Sequence, residues 1–313
     1  MSGFPRTLAA ILTMAIIIGA SAAAFLLYVP QGNSSGKLQV VTTFYPLYYL
    51  SSQVAGGRAE VHALIPDNVE PHSWEPTPSD LIEVSEARIL VFNGVGFEPW
   101  MEDFLAAVDN PDLIKVDTSV GVSLLSSDEV DGGDGHDHEA QDPHFWLDPL
   151  SAKIQVQNIL LAFSQADPGN KTYYAQNAAA LETRLDQLDQ AFVEGLANRT
   201  KNAIVTTHEG FNYMAYRYGF EAYAAIGISA DQQPSPQDMA RLAGMVDDLA
   251  LHYVFSEPTY LDSVMEIIAG ETGAQVLILD GLHGRTGVHE GMDYFEMMYA
   301  NLENLRIGLE VAE

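Results

Sequence analysis

The sequence predicts an α/β fold: two parallel-sheet lobes of (βα)4 type joined by one long rigid α-helix. Three observations point there. Short β-branched runs alternate with helical patterns both before residue 120 and after residue 200. Such alternation builds parallel sheets with helices on both faces. Between the two sets, Tyr174, Ala178, Leu181, Leu185, Leu188, Phe192 and Leu196 recur at spacings of three and four, an apolar stripe along one helix. Finally, His72, His144, His208 and Asp280 each stand at or just after the end of an apolar run. Ligand sites in such sheets lie beyond the carboxyl ends of the strands. The expected division is 1–36 as an N-terminal segment and spacer, 37–166 as the first lobe, 167–200 as the connecting helix and 201–313 as the second lobe.

In the first lobe, Leu38–Phe44 (LQVVTTF) reads as a buried strand. A helical pattern through Tyr48, Leu50 and Val54 follows and stops at Gly56-Gly57. Val61–Pro66 reads as strand two, Ala87–Phe92 as strand three and Leu113–Val116 as strand four. Helices are expected over Asp80–Glu86 and Glu98–Val108. The stretch Glu70–Asp80 (EPHSWEPTPSD) sets His72 in proline-stiffened backbone after strand two. Ser123–Gln141 is polar and acidic and reads as a mobile loop carrying His136 and His138. In Asp142–Pro149 (DPHFWLDP), His144 is held between Pro143 and Phe145-Trp146; an ordinary histidine in an aromatic turn is the competing reading of that motif alone.

Asp167-Pro168 reads as a helix start, with Asp as N-cap and Pro in the first turn. A helix of about thirty residues from there spans on the order of 45 Å. That length suits a rod running along both lobes and limits their relative motion to a small tilt. The second lobe repeats the first: strands over Ala203–Thr207, Glu221–Ile226, Tyr253–Ser256 and Gln275–Leu279, with helices over Phe211–Tyr218, Gln237–Ala250, Tyr260–Ala269 and Gly291–Gly308. His208 and Asp280 end its first and fourth strands.

The composition excludes several functions. The 313 residues carry 14 Lys+Arg against 43 Asp+Glu, a net charge of −29. Nucleic acid needs a basic face, so it is excluded as a partner. A cationic ligand is compatible with this field, although most of the carboxylates read as a solubility or salt adaptation. Cysteine is absent, which removes disulfides, thiolate metal sites and cysteine nucleophiles. Leu8–Val29 is almost wholly apolar and long enough to cross a bilayer. It reads as an uncleaved membrane anchor that leaves the remainder extracytoplasmic; cleavage after the small residues Ser21–Ala24 would release that remainder as a secreted or periplasmic protein.

The four candidate ligands are three neutral imidazoles and one carboxylate. Zinc favours such tetrahedral nitrogen and carboxylate ligation, whereas Mn2+ calls for more oxygen donors. Glu70 and Glu209 adjoin these ligands as outer acceptors or a substitute fourth ligand. His136 and His138 form an accessory pair.

The segments TTFYPLYYLSSQVAGG, EPHSWEPTPSD, DPHFWLDP, VTTHEGFNYMAYRYGF, the QQPSP loop and DGLHGRTGVHEGMDYFEMMYANLENL resemble the zinc-uptake type of the metal-specific solute-binding proteins of ABC transporters (cluster A-I). They cover most of Lys37–Leu309 in family order. The resemblance implies a single Zn2+ held in the cleft between two lobes by His72, His144, His208 and Asp280. It also implies a non-enzymatic role: delivery of that ion to an ABC permease by a protein expected as a monomer. Manganese-binding relatives tend to carry Glu where this chain has His208. Three features depart from the family pattern. The histidine-rich loop is reduced to His136-Asp-His138, the lipid-anchor cysteine is missing, and His283 and His289 follow closely on Asp280, where they are candidates to compete as ligands but are expected at the surface. The alternatives are a manganese or iron receptor of the same fold and a zinc hydrolase using Glu70 or Glu209 as base, against which stands the lack of an H-E-x-x-H pair or a nucleophile motif. A secondary adhesin role is compatible with the sequence.

Overall fold

The computed structural model describes residues 37–126, 141–227, 234–259 and 263–312. The Leu8–Val29 segment and His136 and His138 lie outside the described residues. Among those described, no helix is long and apolar enough to cross a membrane. Leu38–Glu313 forms one compact unit.

The first sheet has the order β2-β1-β3-β4, all parallel: β1 (Leu38–Thr42), β2 (Ala59–Ala63), β3 (Ile89–Phe92) and β4 (Ile114–Asp117). Successive strand residues face opposite sides. Val40, Ile89 and Val91 join a core with α1 (Tyr45–Ala55), while Val41 and Leu90 join another with α2 (Pro78–Glu86) and α3 (Met101–Ala107). Thr77 and Asp80 close a capping box that starts α2. Helix α3 starts at Met101 rather than at Glu98, and Glu98 instead turns into the interior, 5% exposed. It accepts from Thr43 Oγ1 at 2.6 Å, Asn93 N at 2.8 Å and Gly94 N at 3.1 Å, so one carboxylate ties the ends of β1 and β3 together.

A helix absent from the sequence reading follows. α4 (Pro149–Ala166) is capped by Asp148, whose side chain accepts from Leu150 N and Ser151 N. Its signals are the Asp-Pro start and the apolar series Ala152, Val156, Ile159 and Phe163, all buried. The connecting helix α5 spans Lys171–Gly195, about 37 Å. It begins later than expected because Pro168–Asn170 forms a separate 3-10 turn. The Asp167 side chain accepts from Asn170 Nδ2 and the Tyr174 hydroxyl instead of capping α5. The stripe Tyr174, Ala178, Leu181, Leu185, Leu188 and Phe192 is buried in a core continuous with residues of both lobes. Arg184 of α5 donates to Tyr49 Oη in α1 and lies 3.6 Å from Asp293 at the start of the last helix.

The second lobe holds β5 (Ala203–His208), β6 (Glu221–Ile226), β7 (Tyr253–Ser256) and β8 (Gln275–Ile278) as two parallel pairs, β5–β6 and β7–β8, with β7 beside β5. Its helices are α6 (Asn212–Tyr218), α7 (Pro236–Asp248), α8 (Ser263–Thr272) and α9 (Tyr294–Gly308). Helix α9 starts three residues later than the sequence pattern suggests, because Asp293 and Glu296 form its capping box. In both halves the first and third strands are neighbours whose outward connections run in opposite directions, the switch point where α/β proteins bind ligands.

Candidate metal centre

Four histidines converge from four connections. His72 lies in the loop between β2 and α2, His144 in the turn before α4, His208 ends β5, and His283 lies between β8 and α9. Each offers a ring nitrogen, and the four nitrogens lie within 4.8 Å of one another. His144 Nε2 is 3.2 Å from His72 Nε2 and 3.2 Å from His208 Nε2. A tetrahedral ion with Zn–N bonds of about 2.0–2.1 Å separates its ligand atoms by roughly 3.3–3.4 Å. Two edges of the cluster therefore already have the spacing that a tetrahedral zinc imposes.

Two of the rings are held by buried carboxylates. Asp142 Oδ1 takes both the backbone N–H and Nδ1 of His144, at 2.8 Å each. Glu257 Oε1 does the same for His208, with Nδ1 at 2.6 Å and the amide at 3.3 Å. With Nδ1–H donated to the carboxylate, the Nε2 lone pair faces the cluster centre. Glu257 follows β7 and reaches His208 across the switch point, as Glu98 bridges the equivalent strands of the first lobe. Gly210 is needed beside His208, because a Cβ there would collide with the imidazole. Glu70 fixes the His72 loop: Oε1 accepts the His72 amide at 3.0 Å, and Oε2 accepts Ser73 N at 2.8 Å. Glu209 accepts from Asn212 Nδ2 at 2.9 Å.

The electrostatics favour neutral imidazoles. His144, His208 and His283 are at most 1% exposed. Burial holds His144 and His283 well below the usual histidine range, and the neighbouring histidines add to it. Burial also brings His208 down to about 4 against the opposing pull of Asp142, Glu70 and Glu209. The same burial pushes Asp142 up to about 6 and Glu257 well up. Phe97 and Trp146 wall the cluster, with ring centroids 4.9 Å from His72 and 5.1 Å from His144. Four nitrogen donors, two of them backed by carboxylates, behind an aromatic wall can hold one divalent cation.

Asp280 is not in this group. It is buried, but its Oδ1 accepts the Leu282 amide at 2.7 Å and its Oδ2 pairs with His289 Nδ1 at 2.5 Å. Leu282, at φ +58°, turns the chain so that His283 enters the cluster. His283 and His289 are 1% and 3% exposed, which corrects the expectation that both lie at the surface. Sequence reasoning also missed Asp142 and Glu257. Asp142 was open to recognition, because Asp-Pro-His places a carboxylate two residues before an imidazole; Glu257 had no signal beyond ending a strand.

A family model described as "Zinc-uptake complex component A periplasmic" matches residues 40–308. The chain belongs to that family. Among members of the zinc-uptake component A family, the high-affinity zinc uptake system protein ZnuA of Bacillus subtilis (strain 168) is 33% identical, covering 93% of this chain and 96% of the relative. The zinc-binding lipoprotein AdcA of Streptococcus pneumoniae (strain ATCC BAA-255 / R6) is also 33% identical, over 88% of this chain and 56% of AdcA, so the chain spans about half of that protein. The solved structure of the Zn(II)-bound ZnuA-like domain of S. pneumoniae AdcA superposes with a TM-score of 0.74 at 31% identity, covering 88% of this chain and all (100%) of that domain.

Proposed function

We propose that the chain is the extracytoplasmic zinc receptor of an ABC-type importer, holding one Zn2+ through His72, His144, His208 and His283 and passing it to a membrane permease. The observation that carries this reading is the convergence of four imidazole nitrogens within 4.8 Å. Membership of the zinc-uptake component A family supports it, as do the names of relatives that bind or take up zinc. The donor set favours zinc over manganese, because a site for Mn2+ would offer oxygen. Asp280 then acts as a loop-shaping residue instead of a ligand. A four-ligand site leaves no position for an activated water, so the role is carriage and not hydrolysis.

Delivery requires the ion to leave. The ligands come from connections in both lobes, so a small tilt about α5 separates them and weakens all bonds together. In this reading the Leu8–Val29 segment tethers a monomer at the membrane. The decisive experiment is chelator-competition titration of the metal-free protein, with X-ray absorption on the loaded form. One tight zinc per chain, preferred over manganese and surrounded by nitrogen only, is expected. A His208→Ala protein that binds zinc as tightly as the parent would refute the site, and an oxygen in the shell that disappears in Asp280→Ala would restore Asp280 as ligand.

A further inference from the structure

His283 follows the end of β8 at Ile278 and precedes the start of α9 at Tyr294. It sits in the long connection between β8 and α9, whose single regular piece is the 3-10 turn Gly287–His289. A ligand on such a connection must be held from outside. Part of the hold comes from its own end of the molecule, where Asp280 engages Leu282 N and His289. Trp146 Nε1 adds a bond to Gly281 O at 2.8 Å. The rest comes from the loop after β2, the loop that also carries His72. Arg285 Nε and Nη2 both donate to Asp67 Oδ2, at 3.0 and 2.9 Å. The guanidinium lies over the Tyr45 ring, 4.9 Å from its centroid. Between His283 and Arg285, Gly284 packs directly on the Asp67 carbonyl, where a Cβ would overlap backbone atoms.

We propose that Asp67 and Arg285 form a latch that positions His283 as the fourth ligand and sets the rate at which the metal leaves. This rests on the zinc reading above and extends it to release. The pair joins the two loops that bring one ligand from each lobe, so opening the cleft has to break it. Its members are 37% and 35% exposed, which keeps the pair weak and easily remade, as exposed ion pairs are. It also borders a cleft of about 200 Å³ lined by Tyr45, Tyr48 and Pro66, so it parts without unpacking the core. Asp67 and Arg285 touch no metal; they act through His283.

The test is zinc release into excess chelator by stopped flow, with the full chain loaded with one zinc. Arg285→Gln and Asp67→Asn should each release zinc roughly two- to five-fold faster, the change expected from one exposed ion pair. Arg285→Lys should fall between them and the parent. Gly284→Ala, which lifts the loop off Asp67, should match or exceed Arg285→Gln. His283→Ala should release fastest, and adding Arg285→Gln to it should change nothing further. In Co2+-loaded Arg285→Gln the visible bands should shift toward those of His283→Ala, a signature that general destabilisation does not produce. Unchanged release from Arg285→Gln would overturn the proposal. So would equal acceleration by Arg285→Gln with and without His283, since the pair would then act on the lobes and not on this ligand. A parent chain that takes up no zinc would instead overturn the zinc reading, a result separable from either.

Discussion

Asp142 and Glu257 each grip one imidazole twice, through its ring and its amide, and so remove the rotation that would otherwise be lost when a metal binds. Asp142→Asn and Glu257→Gln should therefore lower zinc affinity by roughly 10- to 100-fold, the usual effect of losing such a partner, with the metal-free fold retained; competition titration and circular dichroism check both halves. Glu98 makes a different prediction. Burial raises its carboxyl from 4.5 to about 7 despite three donated hydrogen bonds. Because the folded value lies above the unfolded one, the protonated form favours folding, and that contribution fades as pH rises from about 4.5 through 7. On the order of 3 kcal/mol is at stake. Urea titrations between pH 4.5 and 8 should show the parent losing this stability while Glu98→Gln has a flatter slope, whatever its constant offset.

Most elements could be read from the sequence because each has a local cause. Strands β6 and β7 match the expected strands residue for residue, and the α5 stripe is buried position by position. Replacing Leu185, which is fully buried in the middle of that stripe, by Ala should cost about 2–5 kcal/mol, read from the urea midpoint. The misreadings have causes at a distance. Asp167-Pro168 has the pattern of a cap, but the Asp167 carboxylate is taken by Asn170 and Tyr174. Asp280 stands two residues past β8, where His289 nine residues later meets its carboxylate, and the clustered nitrogen on this connection comes from His283. His283 is expected at the surface from the sequence, yet it is buried. Besides Asp280, the partners Asp67 and Trp146, 218 and 135 residues away from the residues they bond, hold its loop inside. Local pattern located three of the four clustered histidines; the fourth depends on tertiary contacts that no window along the chain contains.

At the scale of the molecule, 43 acidic against 14 basic residues keep the surface strongly negative, a field that attracts divalent cations without selecting among them. Selection falls to the neutral nitrogen cluster inside. The four clustered histidines are also spread widely along the chain: His72 and His144 are 72 residues apart, and His144 and His208 are 64 apart, with His283 still further on. No short stretch of newly made or newly translocated chain holds the cluster, since its last histidine follows β8 in the chain. The metal is thus a latecomer to assembly, and it acts on the finished protein as a removable staple across three long chain loops. Zinc should accordingly slow unfolding in proportion to its occupancy, while leaving the refolding rate in dilute denaturant nearly unchanged. Stopped-flow refolding and unfolding with and without zinc would show this asymmetry, and zinc-accelerated refolding would mean that part of the cluster is assembled before the lobes are complete.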